Sequence, residues 1–171
     1  MSDAIDWNNR EQVLAEVAKD SMALQDASLE FKNDQEVVMV AVQQSGWALE
    51  DASPALQADK DVVLTAVGTH GEALQFAKGS LKDDETVVMV AVQQNGLALR
   101  FASPKLQGYI KVVLGAVNQN VYALEDASED LKADREFIIK VVKEVGNALE
   151  FASDEFRADR EVVLAAVKKH G

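Results

Sequence analysis

The chain has 171 residues, a mass of 18.6 kDa and no cysteine, which excludes disulfides, cysteine nucleophiles and cysteine-ligated metal sites. Its 17 basic and 29 acidic residues give a formal charge of −12, which argues against nucleic acid or an anionic membrane surface as the main partner. Apolar residues make up 48% of the chain, but no run approaches the roughly 18 apolar residues of a membrane-spanning helix. The acidic N-terminus lacks the apolar core of a signal peptide, so we expect a soluble, cytoplasmic protein without membrane insertion.

An Ala-Leu pair recurs every 25 residues, without insertion, from Ala23-Leu24 to Ala148-Leu149. This period predicts six complete units and half of a seventh, at residues 9–33, 34–58, 59–83, 84–108, 109–133, 134–158 and 159–171. A unit of 25 residues is too small to bury its own apolar face, so the units must stack on one another. We therefore expect residues 1–171 to form a single solenoid domain.

The first half of each unit predicts an α-helix of about three turns. In the unit 34–58, Asp34 is placed to cap the helix N-terminus, and a valine- and alanine-rich stripe with helical spacing follows it. We expect Gly46 to end this helix as a left-handed C′ residue.

The second half of each unit predicts a shorter helix that buries the Ala-Leu pair, and then a capping turn. Ser53-Pro54 has the sequence of an N-cap followed by proline at the first helical position. The predicted fold is all-α, a right-handed α-solenoid of about six and a half repeats, each with a longer helix, a shorter helix and a capping turn.

The repeated string D-x-E-V-V-L-x-A-V-x-x-x-G-x-A-L-x-x-A-S-x-x-L is clearest in residues 134–156 and 159–167. It resembles the helical repeat family known as domain of unknown function 4116 (DUF4116), whose unit spans about two of these repeats. Such repeats occur in proteins of intracellular bacteria and unicellular eukaryotes, sometimes beside effector modules, so the resemblance also implies that delivery into a host cell is an option. It carries over no catalytic or binding residue.

The search for catalytic chemistry is negative, and we expect no enzyme, no cofactor and no metal site. His70 and His170 occupy the same repeat position but lie four layers apart, too far to share a metal. Most carboxylates fall at capping positions, such as Asp34 and Asp134, where they serve the helix N-terminus. The acidic run from Asp126 to Asp134 lacks the ligand spacing and central glycine of a calcium loop.

Two positions on the predicted second helix vary among units in a way that the framework does not require. Because they are four residues apart, we expect them to share one helix face and to line one side of the solenoid. Either each pair packs one large group into the seam between layers, or the pairs form a surface for a protein partner of unknown identity. The candidate partner-binding residues at these positions are Met22, Trp47, Phe76, Leu97, Phe101, Tyr122 and Phe151.

The fifth unit departs most from the pattern. Tyr109 replaces the capping aspartate, Ile110 follows it, and Val121 replaces the glycine. We expect either a contact site formed by Tyr109, Ile110 and Tyr122, or simple sequence drift.

The two ends of the array differ in polarity. Glu16 stands where other units have alanine or valine, as in a polar cap layer. At the other end, no following unit in this sequence covers four residues, which are candidates for an end contact: Val162, Val163, Ala166 and Val167. Either the short last helix buries them backward against the array, or this surface meets another chain.

These features favour a non-enzymatic protein–protein interaction scaffold or adaptor. The alternative is a self-assembling structural protein that stacks end to end, a homo-oligomer formed through its terminal repeats. A ligand-binding or catalytic site in a concave groove is a third option.

Overall fold

The computed structural model describes residues 5–170, with side chains up to Lys168. It confirms the all-α repeat solenoid, and no strand occurs within the described residues. Each unit opens with an α-helix, and we number these helices by unit: α1 (Arg10–Val17), α2 (Gln35–Gln44), α3 (Lys60–Thr69), α4 (Glu85–Gln94), α5 (Ile110–Gln119), α6 (Arg135–Glu144) and α7 (Arg160–His170).

The second element of each unit is a six-residue 3₁₀ helix that contains the Ala-Leu pair. These helices are η1 (Ser21–Asp26), η2 (Gly46–Asp51), η3 (Gly71–Phe76), η4 (Gly96–Phe101), η5 (Val121–Asp126) and η6 (Gly146–Phe151). A short helical capping segment closes each of units 1 to 6: Leu29–Lys32, Leu56–Ala58, Leu81–Asp83, Pro104–Gln107, Glu129–Ala133 and Asp154–Ala158.

The predicted aspartate caps are present. The Asp34 carboxylate accepts hydrogen bonds from the N–H groups of Glu36, at 2.9 Å, and Val37, at 3.2 Å. Asp59, Asp84, Asp134 and Asp159 make the same pair of bonds in their units. Tyr109 makes no side-chain cap bond, as expected for the fifth unit.

The left-handed role predicted for Gly46 is wrong. Gly79 is the one glycine with positive φ in the described part of the chain, and Gly46 begins η2 instead. A Cβ at Gly46 would overlap the carbonyl oxygen of Ala66 in the next unit, so glycine is required there by close packing between units. Gly71 and Gly96 stand in the same relation to Ala91 and Ala116.

One continuous apolar core runs along the solenoid. At its centre lie the repeat leucines, which are 0–1% exposed in units 1 to 5: Leu24, Leu49, Leu74, Leu99 and Leu124.

The apolar stripe of each α-helix has two halves, and the first and last helices show which neighbouring unit each half faces. α1 buries Val13 and Val17 toward unit 2, whereas α7 buries Val162 and Ala166 toward unit 6. An inner unit has neighbours on both sides, so both halves of the stripe are buried. In unit 2 these are Val38 and Val42, equivalent to Val13 and Val17, and Val37 and Ala41, equivalent to Val162 and Ala166.

Polar bonds cross from unit to unit at fixed positions. The Ser53 N–H donates to the Lys32 carbonyl at 2.7 Å, and the same backbone bond joins the next three unit pairs. The N–H groups of Gly71 and Gly96 donate to the side-chain oxygens of Gln94 and Gln119. These bonds fix the register of neighbouring layers, because each requires one alignment.

The junction between units 5 and 6 departs from this pattern. Val121 stands where units 2 to 4 have the close-packed glycine, and α5 and α6 contact each other less than the other successive α-helices do. The backbone bond that joins the four preceding unit pairs is absent between Ser153 and Lys132. The added side chain at Val121 explains the looser packing, because a Cβ needs the space that the next carbonyl otherwise occupies.

Candidate interaction surfaces

The variable residues of the 3₁₀ helices lie at two repeat positions, which contacts between units such as Trp47–Phe76 bring together, and we call this set of residues the lateral ribbon. It comprises Met22, Trp47, Phe76, Leu97, Phe101, Tyr122 and Phe151. Tyr122 is 57% and Met22 45% exposed, and the other five are half-buried. The lateral ribbon therefore combines groups that reach solvent with groups that also pack between layers.

The aromatic residues of the lateral ribbon pair between units. The Trp47 ring lies 6.1 Å from the Phe76 ring and 5.9 Å from the His70 ring, centroid to centroid. Tyr122 meets Phe151 edge to face at 5.0 Å. The expectation that the two variable positions share one face of the same helix is wrong. A 3₁₀ helix has three residues per turn, so residues i and i+4 point in different directions.

Acidic groups flank the lateral ribbon. Burial raises the pKa of the Asp126 carboxyl, and Arg100, 3.9 Å away, lowers it in part. The cause of the net rise is desolvation, which disfavours the charged form.

Tyr109 and Ile110 do not join the lateral ribbon. Both are 43% exposed and lie at the N-terminal end of α5, where Tyr109 lines a groove with Asp83, Glu85 and Lys105. Tyr122 follows the C-terminal end of α5, and a ten-residue helix is about 15 Å long. The predicted contact site of Tyr109, Ile110 and Tyr122 would therefore extend along the length of α5, and it stays a prediction.

The four predicted end-contact residues divide into two pairs. Val162 is fully buried and Ala166 nearly so, both against unit 6, so the last helix buries these two backward and their role as end-contact residues is wrong. The reason is helical geometry, because this half of the stripe faces backward along the array. Val163 is half-buried and Val167 is 55% exposed on the outward side, together with exposed Leu164.

A groove of about 520 Å³ lies beside Val167. Its walls come from η6 and α7, with Gly146, Leu149 and Ala166 among the lining residues. Leu149 is half-buried, whereas its five counterparts are fully buried. Val163, Val167, Arg160 and this groove together form what we call the end face.

Sequence reasoning missed several exposed or bonded groups. Leu29, on the capping segment of unit 1, is 85% exposed, and its position holds proline, glycine or an acid in the other units. The difference of Leu29 from the equivalent residues of the other units is the sequence signal that could have identified it.

His70 was expected only as a helix-end group, yet its Nδ1 accepts a hydrogen bond from the Gly46 N–H at 3.1 Å. The side chain of His170 lies outside the described residues.

No cluster of three or more metal-ligating side chains occurs within the part of the chain that the structure describes. Among those residues, no helix combines the length and apolarity needed to cross a membrane.

The family model described as Domain of unknown function (DUF4116) matches residues 9–57, 59–107, 109–156 and 134–171. The chain belongs to this family. Each of the first three matches spans two of the 25-residue units, as the resemblance implied. Searches of curated proteins and of solved structures found no match.

Proposed function

We propose that this DUF4116 protein is a protein–protein interaction scaffold that binds its partner along the lateral ribbon. The observation that supports this most directly is the exposure of Tyr122 and Met22 on an otherwise regular, well-packed framework. Large amphipathic and flexible apolar side chains are favoured anchors at interfaces. Solenoids commonly bind along such a repeated face.

The spacing of the two aromatic pairs supports an extended partner. Trp47–Phe76 and Tyr122–Phe151 are three units apart, which corresponds to roughly 25–30 Å when layers are about 8–10 Å apart. An extended or helical segment of a partner protein fits such a surface. The acidic groups that flank it, Asp126 among them, favour a partner with basic residues around an apolar centre.

The test compares binding by the intact chain and by the double variant Met22→Ala, Tyr122→Ala, after partners have been captured and identified. We expect partner binding to fall at least tenfold while the unfolding midpoint changes much less than it does for a buried residue, because both side chains are only about half buried. Leu29→Ala is the matched control, since Leu29 is exposed and apolar but lies on a capping segment. Unchanged binding in the double variant, or equal loss in the control, would contradict the proposal.

We further propose that the protein acts without catalysis. Its regularly placed carboxylates have structural partners, such as the cap bonds and the ion pair of Asp34 with Arg10. A fixed carboxylate in a cap and an ion pair is poorly placed for proton transfer. End-to-end self-assembly is the weaker alternative, because polar Gln12 and Glu16 occupy the outward side of α1.

A further inference from the structure

The capping segments of units 5 and 6 lack the backbone bond that joins the four preceding unit pairs. In the pair before, the Ser128 N–H donates to the Gln107 carbonyl at 2.9 Å. The equivalent groups at the next junction are the Ser153 N–H and the Lys132 carbonyl, and neither has a hydrogen-bond partner among the described residues. A backbone donor and a backbone acceptor are therefore left free on the two sides of one junction.

A groove of about 390 Å³ lies at this junction, and we call it the junction groove. Lys132 and Ser153, which carry the free carbonyl and the free N–H, both line it, together with Phe151 and Phe156. Phe151 is half-buried and Phe156 is buried, so the groove has an apolar wall. Phe151 also belongs to the lateral ribbon, where it meets Tyr122 at 5.0 Å, so the groove continues that surface.

The rim of the junction groove is acidic. Glu155 is exposed and makes no ion pair within the part of the chain that the structure describes. Glu129 pairs with Lys132 at 2.7 Å, yet its side chain is 89% exposed. The whole chain carries a formal charge of −12. Basic residues on either side of an occupant would complement these carboxylates and the surrounding field.

We propose that the junction groove binds an extended segment of the partner protein, with an apolar residue against Phe151 and basic residues beside it. A residue of an extended chain directs its N–H and its C=O to the same side, so it can donate to the Lys132 carbonyl and accept from the Ser153 N–H. Main-chain bonds of this kind supply affinity, and the flanking side chains supply specificity. This inference rests on the proposed scaffold function, because it names the form of the partner that the lateral ribbon binds.

Proline at position 153 tests the free N–H without any ligand. Ala152 and Ser153 have φ of −75° and −58° and ψ of 159° and 158°, which suit proline and the residue before it. Ser153→Ala is the matched control, because it loses the same hydroxyl and keeps the N–H. The two variants should unfold at similar urea concentrations. Ser128→Pro should be clearly less stable than Ser128→Ala, because the Ser128 N–H is bonded while the backbone angles are closely similar.

Binding is measured by titrating the blocked peptide acetyl-Lys-Ala-Leu-Ala-Lys-amide into the isotope-labelled full chain and following its amide signals. We expect saturable shifts at the signals of Lys132 and Phe151. The same peptide with an N-methylated leucine cannot donate to the Lys132 carbonyl and should bind roughly two- to tenfold more weakly, the value of one net hydrogen bond. Ser153→Pro should weaken binding of the parent peptide by a similar factor relative to Ser153→Ala. The charge-reversed peptide acetyl-Glu-Ala-Leu-Ala-Glu-amide should give no saturable shifts.

Equal affinity of the parent and N-methylated peptides overturns the proposal, as does equal affinity of Ser153→Pro and Ser153→Ala for the parent peptide. Absence of saturable binding by the parent peptide overturns it too. The captured partner separates this inference from the scaffold function. If partner binding needs Met22 and Tyr122 but is the same in Ser153→Pro and Ser153→Ala, the scaffold function stands and the junction groove is not its site. If the double variant Met22→Ala, Tyr122→Ala keeps its partner, the scaffold function fails first.

Discussion

The Cα of Gly96 packs against the carbonyl oxygen of Ala116 in the next unit so closely that a Cβ would overlap that oxygen. The Gly96 N–H simultaneously donates to the Gln119 side chain. This contact sets the separation of units 4 and 5. The equivalent glycines Gly46 and Gly71 set it for the two junctions before.

Substitution Gly96→Ala should therefore be destabilising by about 1–3 kcal/mol, the usual cost of an overpacked interior. Gly68→Ala is the matched control, because Gly68 lies within α3 and a new Cβ there would make only an ordinary van der Waals contact, 4.0 Å from Cγ1 of Val90. There alanine should stabilise by about 0.5–1 kcal/mol through helix propensity. Urea unfolding measures both values. Equal effects at the two sites would show that the close approach at Gly96 does not limit packing.

The free energy of unfolding that is lost when a repeat leucine is replaced by alanine should depend on how deeply that leucine is buried. Leu99→Ala should cost about 2–5 kcal/mol, since it removes a fully buried side chain from the spine. Leu149→Ala should cost clearly less, because Leu149 is half-buried beside the groove. Thermal or urea unfolding of the two variants provides the comparison. A larger loss for Leu149 would contradict the open environment assigned to it.

Tyr109→Asp should stabilise the chain by about 1 kcal/mol by restoring the missing N-cap of α5. Asp59→Ala is the converse change, and it should cost a similar amount because the Asp59 carboxylate accepts bonds from Asp61 and Val62. Unfolding midpoints of the two single variants measure these effects. Destabilisation by Tyr109→Asp would instead indicate that the tyrosine ring itself holds the adjoining turn.

Acid should destabilise the array through its bridging aspartates. The arginines hydrogen-bonded to Asp34 and Asp159, and Lys60 beside Asp84, hold the pKa of each of these carboxyls below its ordinary value. A lowered folded pKa means that the stabilisation is present above about pH 4, the unfolded value, and is lost as the pH falls through the folded values. Stability measured from pH 6 to pH 2 should decline in that window.

The matched variant for this pH dependence is Arg10→Met, Lys60→Met, Arg135→Met, which removes the bridging cations. Its stability should fall less steeply below about pH 4 than that of the wild type, because the aspartates then titrate nearer their unfolded values. Asp126 acts in the opposite direction, since its folded pKa is raised. An unchanged pH profile in the triple variant would refute the assignment to these ion pairs.

The exact period of 25 residues was enough to predict the units, the caps and the buried leucines. Local rules sufficed there, because Asp34 and its equivalents act on the next turn of the same helix. The role of Gly46 was not predictable in this way, since its neighbour Ala66 belongs to another unit. The contact of Trp47 with Phe76 was not predictable for the same reason, because the two residues belong to different units. The different burial of Val162 and Val163 likewise depends on how the units stack.

The weakly packed junction between units 5 and 6, at Val121, affects how the array unfolds. In a stack whose layers touch only their neighbours, cooperativity passes along the array through each interface in turn. A weak interface divides such an array into blocks that open separately. Units 1 to 5 form one block and units 6 and 7 the other, so the end face belongs to the smaller block. The α7 amides should therefore exchange with solvent by opening of the smaller block alone, while those of α3 stay protected.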